Sequence, residues 1–94
     1  MQLYLAKIEW QVLGLTGFTH FEDEYLLEIL ESLEKKCQII DFGCSGEFVY
    51  FEIEFETRSI NEAKELTRKY TQESFISVLS SSEMLLIDLE VKLI

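Results

Sequence analysis

Nine consecutive residues, Phe48 to Glu56 (FVYFEIEFE), alternate without a slip. Val49, Phe51, Ile53 and Phe55 fall on one side, and Phe48, Tyr50, Glu52, Glu54 and Glu56 on the other. Side chains alternate between faces in a strand, whereas a helix of period 3.6 would scatter both sets. This stretch therefore predicts a strand with one buried face and one wet face, the wet face starting aromatic and continuing as a ladder of carboxylates.

The rest of the chain supplies cover for the apolar side. Residues 2–13 (QLYLAKIEWQVL) alternate too, with Tyr4, Ala6, Ile8, Trp10 and Val12 opposed to Leu3, Leu5, Lys7, Glu9, Gln11 and Leu13. Gly14 and Gly17 break that strand, and Thr19 with Glu22 forms a capping box. The helix behind it is expected to run to about Lys36, with Leu26, Ile29, Leu30, Leu33 and Cys37 as its apolar stripe. QIIDFGC reads as a short strand, and Ser45-Gly46 as the turn that hairpins it to Phe48–Glu56.

Ser59-Ile60-Asn61-Glu62 is a second capping box, opening a helix with Ala63, Leu66 and Tyr70 inward and Thr67 flanking. That helix is expected to end near Gln72. FISVLS then reads as a short extra strand hairpinned to MLLIDLEVKLI, whose parity sets Leu85, Ile87, Leu89, Val91 and Leu93 against Leu86, Asp88, Glu90 and Lys92. Proline is absent, so element ends rest on Gly, Ser, Thr and Asn.

The order is β-α-β-β-α-β, with the extra C-terminal hairpin strand as an addition. Right-handed crossovers put both helices on one face of an antiparallel sheet. The expected fold class is α+β, a ferredoxin-like split βαβ sandwich in a single domain spanning residues 1–94.

Charge narrows the function. Eight basic residues stand against 18 acidic ones, a formal net of -10, and both halves of the chain are acidic. Such a surface opposes nucleic acid and anionic membranes, since each phosphate contact calls for a Lys or Arg. It favours a basic protein, such as a nuclease or another nucleic-acid-binding protein. No apolar run reaches 18 residues, and Lys7 and Glu9 interrupt the N-terminal one, so neither a membrane span nor a signal peptide is expected. Cys37 and Cys44 lie seven positions apart, about 23 Å in an extended strand, whereas a disulfide needs under about 7 Å. They read as free thiols, and the expected setting is cytoplasmic.

Two short stretches bear a resemblance. LYLAKI at Leu3–Ile8 looks like the first-strand motif of the RNA recognition motif family, and FVYF at Phe48–Phe51 looks like the end of its third-strand motif. The resemblance implies base stacking on the sheet. Where that motif has a basic residue, Gly and an aromatic, this chain has Cys44, Ser45 and Gly46, and a shifted register puts Glu52 where a stacking aromatic belongs. The layout is also similar to that of ferredoxin-like regulatory domains that bind amino acids between protomers, but beyond Gly14 and Gly17 no glycine-rich ligand loop follows the first strand.

No catalytic set assembles. His20 is the single histidine and reads as a capping-region residue. No phosphate loop, D-x-D-x-D-G loop or other metal spacing is present, so no cofactor or metal is expected. The expected site is a partner-binding surface made of Tyr50, Glu52, Glu54 and Glu56, with Glu24, Glu28 and Glu31 on the first helix as a second acidic patch. The function expected is that of a non-enzymatic inhibitor of the immunity-protein, antitoxin or phage anti-nuclease type. The alternative is a self-associating, homodimeric regulatory domain that senses a small molecule.

Overall fold

The computed structural model describes residues 1–13, 23–78 and 83–94, and the side chains of all of these except 23–25 and 78. The first turn glycines, the Thr19–Glu22 box, His20, the Glu24 side chain, residues 79–80 of FISVLS and Ser81-Ser82 lie outside them. The elements run β1 (Gln2–Leu13), α1 (Asp23–Glu34), β2 (Gln38–Ser45), β3 (Phe48–Thr57), α2 (Ile60–Val78) and β4 (Glu83–Leu93). The fold is α+β. Four strands form one antiparallel sheet in the order β2-β3-β1-β4. Among the described residues no helix is long and apolar enough to cross a membrane.

Parity holds along the two central strands. Tyr4, Ala6, Ile8, Trp10 and Val12 from β1 are buried with Val49, Phe51, Ile53 and Phe55 from β3. Ile29, Leu30 and Leu33 of α1 and Ala63 and Phe75 of α2 join the same cluster, so both helices cover the same face. The β2–β3 hairpin turns through Gly46 and Glu47, with Gly46 at φ 61°. Glycine at the first of two turn residues is what a type II′ hairpin requires. No atom lies within 4 Å of a Cβ built there, so backbone conformation alone demands the glycine.

Two expectations are corrected. The first concerns FISVLS: Phe75 to Val78 continue α2 and do not form a strand, and no fifth strand occurs among the described residues. The buried stripe of α2 is Ala63, Thr67, Thr71, Ser74 and Phe75, so Thr67 is central and not flanking. Its hydroxyls donate back along the helix, Thr67 to Ala63 O, Thr71 to Thr67 O and Ser74 to Tyr70 O. Small hydroxyl residues are therefore satisfied inside and let the helix lie close to the sheet. Thr71 Oγ1 also accepts from the Trp10 indole N–H at 2.9 Å. The stripe ends on Phe75, fully buried, edge-on to Phe51 with ring centroids 5.8 Å apart.

The second correction concerns β4. Its register against β1 slips between Glu9 and Trp10, where Asp88 pairs Glu9 and Leu86 pairs Trp10, leaving Ile87 as the extra residue of a bulge. Met84 and Leu86 pack on the core, as do Leu89 and Val91 beyond the bulge, while Leu85 and Ile87 are exposed. Leu86, expected on the wet side, thus faces the core, and Leu85 faces away from it. The short strand β2 carries a similar slip at Ile40, between Ile39 and Asp41, which leaves Ile40 exposed.

The helix ends follow local chemistry. Ser59 Oγ accepts from the Glu62 N–H at 3.2 Å, half of the expected capping box, and the Ala63 N–H donates to Ser59 O. Past the end of α1, Lys36 Nζ reaches Glu73 on α2 at 2.7 Å and stands over the Tyr70 ring at 5.4 Å. Lys36 thereby ties the two helices together. Its hydrogen bond holds the Glu73 carboxyl below its ordinary range.

Candidate functional site

The uncovered side of the sheet can be read row by row from the registers. The first row is Ser45, Phe48, Gln11 and Leu85; the second is Gly43, Tyr50, Glu9 and Asp88. The third is Asp41, Glu52, Lys7 and Glu90; the fourth is Gln38, Glu54, Leu5 and Lys92; Glu56 and Leu3 follow. Carboxylates on this face are Glu9, Asp41, Glu52, Glu54, Glu56, Asp88 and Glu90, with Glu83 opposite Leu13 beyond the first row, against Lys7 and Lys92, a net of -6. More than half of the chain's formal charge of -10 therefore stands on one side of one sheet.

Lys7 occupies the middle of that field, directly across from Glu52 on β3 and Glu90 on β4. Same-face neighbours on a strand are about 6.7 Å apart, and like charges at that spacing in water repel by roughly 0.6 kcal/mol. A cation on the neighbouring strand offsets part of this for Glu52. Glu54 has Leu5 and Gln38 across from it and gets no such relief. Among the described residues the one ion pair within 4 Å is Lys36–Glu73, so Lys7 is not locked to either carboxylate.

Tyr50 is positioned by its neighbour. Gly43 lies directly opposite on β2, and a Cβ there would stand 2.2 Å from Tyr50 Cε1. The ring thus lies over the glycine, and its hydroxyl donates a long 3.4 Å hydrogen bond to Asp41 Oδ2. At the turn end, Gln11 Nε2 donates to Glu47 Oε2 at 2.9 Å. A shallow depression of about 300 Å³ lies in the middle of the face, bounded by Lys7, Glu9, Asp41, Tyr50, Glu52 and Asp88. A second of about 420 Å³ runs along β4, lined by Leu5, Leu89 and Val91 with Lys7, Lys64, Lys92 and Glu90.

The structure brings Tyr50, Glu52, Glu54 and Glu56 onto this one face, with Glu52 and Glu54 half-buried among their strand neighbours and not under a helix. Glu28 and Glu31 are exposed on α1, across the sheet from them, so the two acidic patches do not merge. Sequence reading missed Asp41 as a member of the face, which the Ile40 bulge places there, and missed Glu83 and Leu85 because of the bulge at Ile87 on the other edge. The tell-tale signal was Asp41 between Ile40 and Phe42, a charge that simple alternation leaves on the same side as Ile39.

Neither cysteine is bonded. Burial pushes the Cys37 thiol up to about 11, the nearby Lys36 charge opposing it, and burial raises Cys44 as well. Neither thiol is activated for nucleophilic work, which needs a lowered value.

Comparison with protein-family models, with curated proteins and with solved structures finds no match to this chain.

Proposed function

We propose that the protein is a small non-enzymatic binding module of ferredoxin-like type that docks a basic protein on the open face of its sheet. The β-α-β-β-α-β order with β1 and β3 central supports that fold reading. The observation that carries the function is the concentration of a net -6 on one uncovered face, around the exposed rings of Phe48 and Tyr50. Charge there steers a cationic partner from a distance, and the aromatics give it area to bury against. The resulting mechanism is occlusion of a cationic groove, as an immunity protein, an antitoxin or a phage inhibitor of a nuclease would achieve it. Tyr50, Glu52, Glu54 and Glu56 are the contact set; Glu28 and Glu31, across the sheet on α1, stand outside it.

The test is calorimetric titration of a partner isolated by affinity capture against the wild type and the Glu52→Lys/Glu54→Lys double variant. Affinity falls about tenfold or more and weakens further with salt, while the domain stays folded, because neither side chain lies under a helix. Equal affinity for the two proteins would remove this face.

A second reading, a self-associating regulatory domain that binds a small molecule, draws on the β4 cleft. Three of the eight basic residues line it beside Leu5, Leu89 and Val91, a setting suited to a small anion with a hydrocarbon part. Native mass spectrometry separates the two: a homodimer that retains a metabolite favours sensing, and a monomer favours docking.

A further inference from the structure

The bulge at Ile87 places apolar side chains where an unbroken strand would not. Leu85, 49% exposed, stands on the open face at the same end as Phe48, itself 43% exposed, and Ile87, 46% exposed, is the bulged residue two positions along β4. Phe48 and Leu85 flank Gln11 in one row, so two strand spacings, about 9.6 Å, separate them. The amide of Gln11 is held by Glu47, away from the bare sheet. Tyr50, 43% exposed and seated on Gly43, closes the corner. The face thus carries one apolar corner set among carboxylates, with Glu83 beyond Leu85 on one side and Glu9 and Asp88 in the next row on the other.

We propose that this corner takes a basic amphipathic helix of the partner, its apolar stripe on Phe48, Leu85 and Ile87 and its Lys or Arg residues over Glu9, Asp88, Glu52 and Glu90. The inference rests on the docking reading above and names the segment that docks. A helix is about 10–12 Å across with side chains, so its apolar stripe matches the span from Phe48 to Leu85. An added strand is a poorer occupant, because each outer edge is interrupted by a bulge, at Ile40 on β2 and at Ile87 on β4, and bulges break the ladder a new strand would need. A second copy of this chain is poorer still: two faces of net -6 would be brought together. Tyr50, laid over Gly43, adds an exposed aromatic ring at the border of this corner.

The experiment is an amide NMR titration of the full chain with two probes of equal length, an 18-residue Leu/Lys amphipathic helical peptide and octadecalysine. The Leu/Lys peptide binds at least tenfold tighter although it carries fewer charges, and shifts the amides of Phe48, Leu85 and Ile87. Leu85→Ser and Ile87→Ser, both at exposed positions, abolish that advantage and leave octadecalysine binding unchanged. Should either variant fail to fold, the comparison of the two peptides on the wild type decides alone. Equal or weaker binding of the Leu/Lys peptide overturns the apolar anchor, while octadecalysine binding to the open face would still support the docking reading. Failure of both peptides to bind defeats the two together. A wild-type dimer in sedimentation velocity that Ile87→Ser dissolves would overturn the proposal by making the occupant a second copy.

Discussion

Tyr50 and Gly43 face each other across the β2–β3 ladder, and the tyrosine ring fills the space that any larger residue at position 43 would claim. An aromatic laid over a glycine on an edge strand restores the packing the glycine lacks. Gly43→Ala would put a methyl group 2.2 Å from Cε1, but the atoms in the way are the far end of a mobile side chain. The ring swings off. Loss of the cross-strand contact costs about 0.2–1 kcal/mol, and replacing a strand glycine returns roughly 0.5–1 kcal/mol of chain entropy. Stability measured in urea therefore changes by less than about 1 kcal/mol, while the Tyr50 ring resonances shift and the Tyr50–Asp41 contact disappears. A drop of several kcal/mol would mean that the ring cannot move.

Two buried threonines respond to valine in opposite directions. Thr71 Oγ1 accepts the only hydrogen bond described for the Trp10 indole, and Thr71→Val strands that donor in the core. The cost is about 1–3 kcal/mol. Thr57 Oγ1 is equally buried but has no hydrogen-bond partner among the described residues. Thr57→Val is accordingly neutral or stabilising, by up to about 1 kcal/mol. Denaturant unfolding of both variants checks the contrast.

The C-terminal part of α2 gives a third prediction. Phe75→Ala removes a fully buried ring packed on Phe51 and costs about 3–5 kcal/mol. Ile76→Pro, at an exposed position of the same turn, costs about 3 kcal/mol or more because it breaks a helix from within. A chain that turned into an edge strand at Phe75 would tolerate the proline.

How much of this was legible in the sequence depends on which periodicity survived. β1 and β3 were readable to the residue, because both run unbulged through their mutual pairing and the alternate set Tyr4, Ala6, Ile8, Trp10 and Val12 with Val49, Phe51, Ile53 and Phe55 is buried throughout. The first helix stripe was readable as well. β4 was readable as a strand but not as a face. One extra residue at Ile87 reverses parity for everything before it, and a run of Leu, Leu and Ile offers no polar residue to mark the slip. The tail of α2 was hidden because Thr67, Thr71 and Ser74 carry the buried stripe, and a reading that counts only hydrocarbon sees no helix there. The acidic ladder was evident from composition, but its union with Asp41, Asp88 and Glu90 depends on strand order and register, which come from tertiary pairing.

The cysteines supply a prediction in pH. Cys37, with its thiol pushed up to about 11, stays protonated in the folded chain while it would ionise near 9 when unfolded. The unfolded state therefore binds fewer protons between those values, so this contribution to stability is whole below about 9 and is lost as pH rises toward 11. At pH 8, iodoacetamide modifies both thiols more slowly in the folded protein than in urea, and the less buried Cys44 ahead of Cys37. Rapid alkylation of folded Cys37 would contradict the burial.

The central claim is that cationic chemistry is drawn to the open sheet face and not to acidic surface at large. Chemical-shift mapping with octadecalysine at low salt tests it most directly, since α1 offers Glu28, Glu31 and Glu34 as an equally exposed competitor. The predicted result is saturable shifts at Lys7, Glu9, Glu52, Asp88 and Glu90, fading as added salt shortens the Debye length toward about 8 Å. Shifts centred on Glu28–Glu34, or spread evenly over every carboxylate, would contradict it.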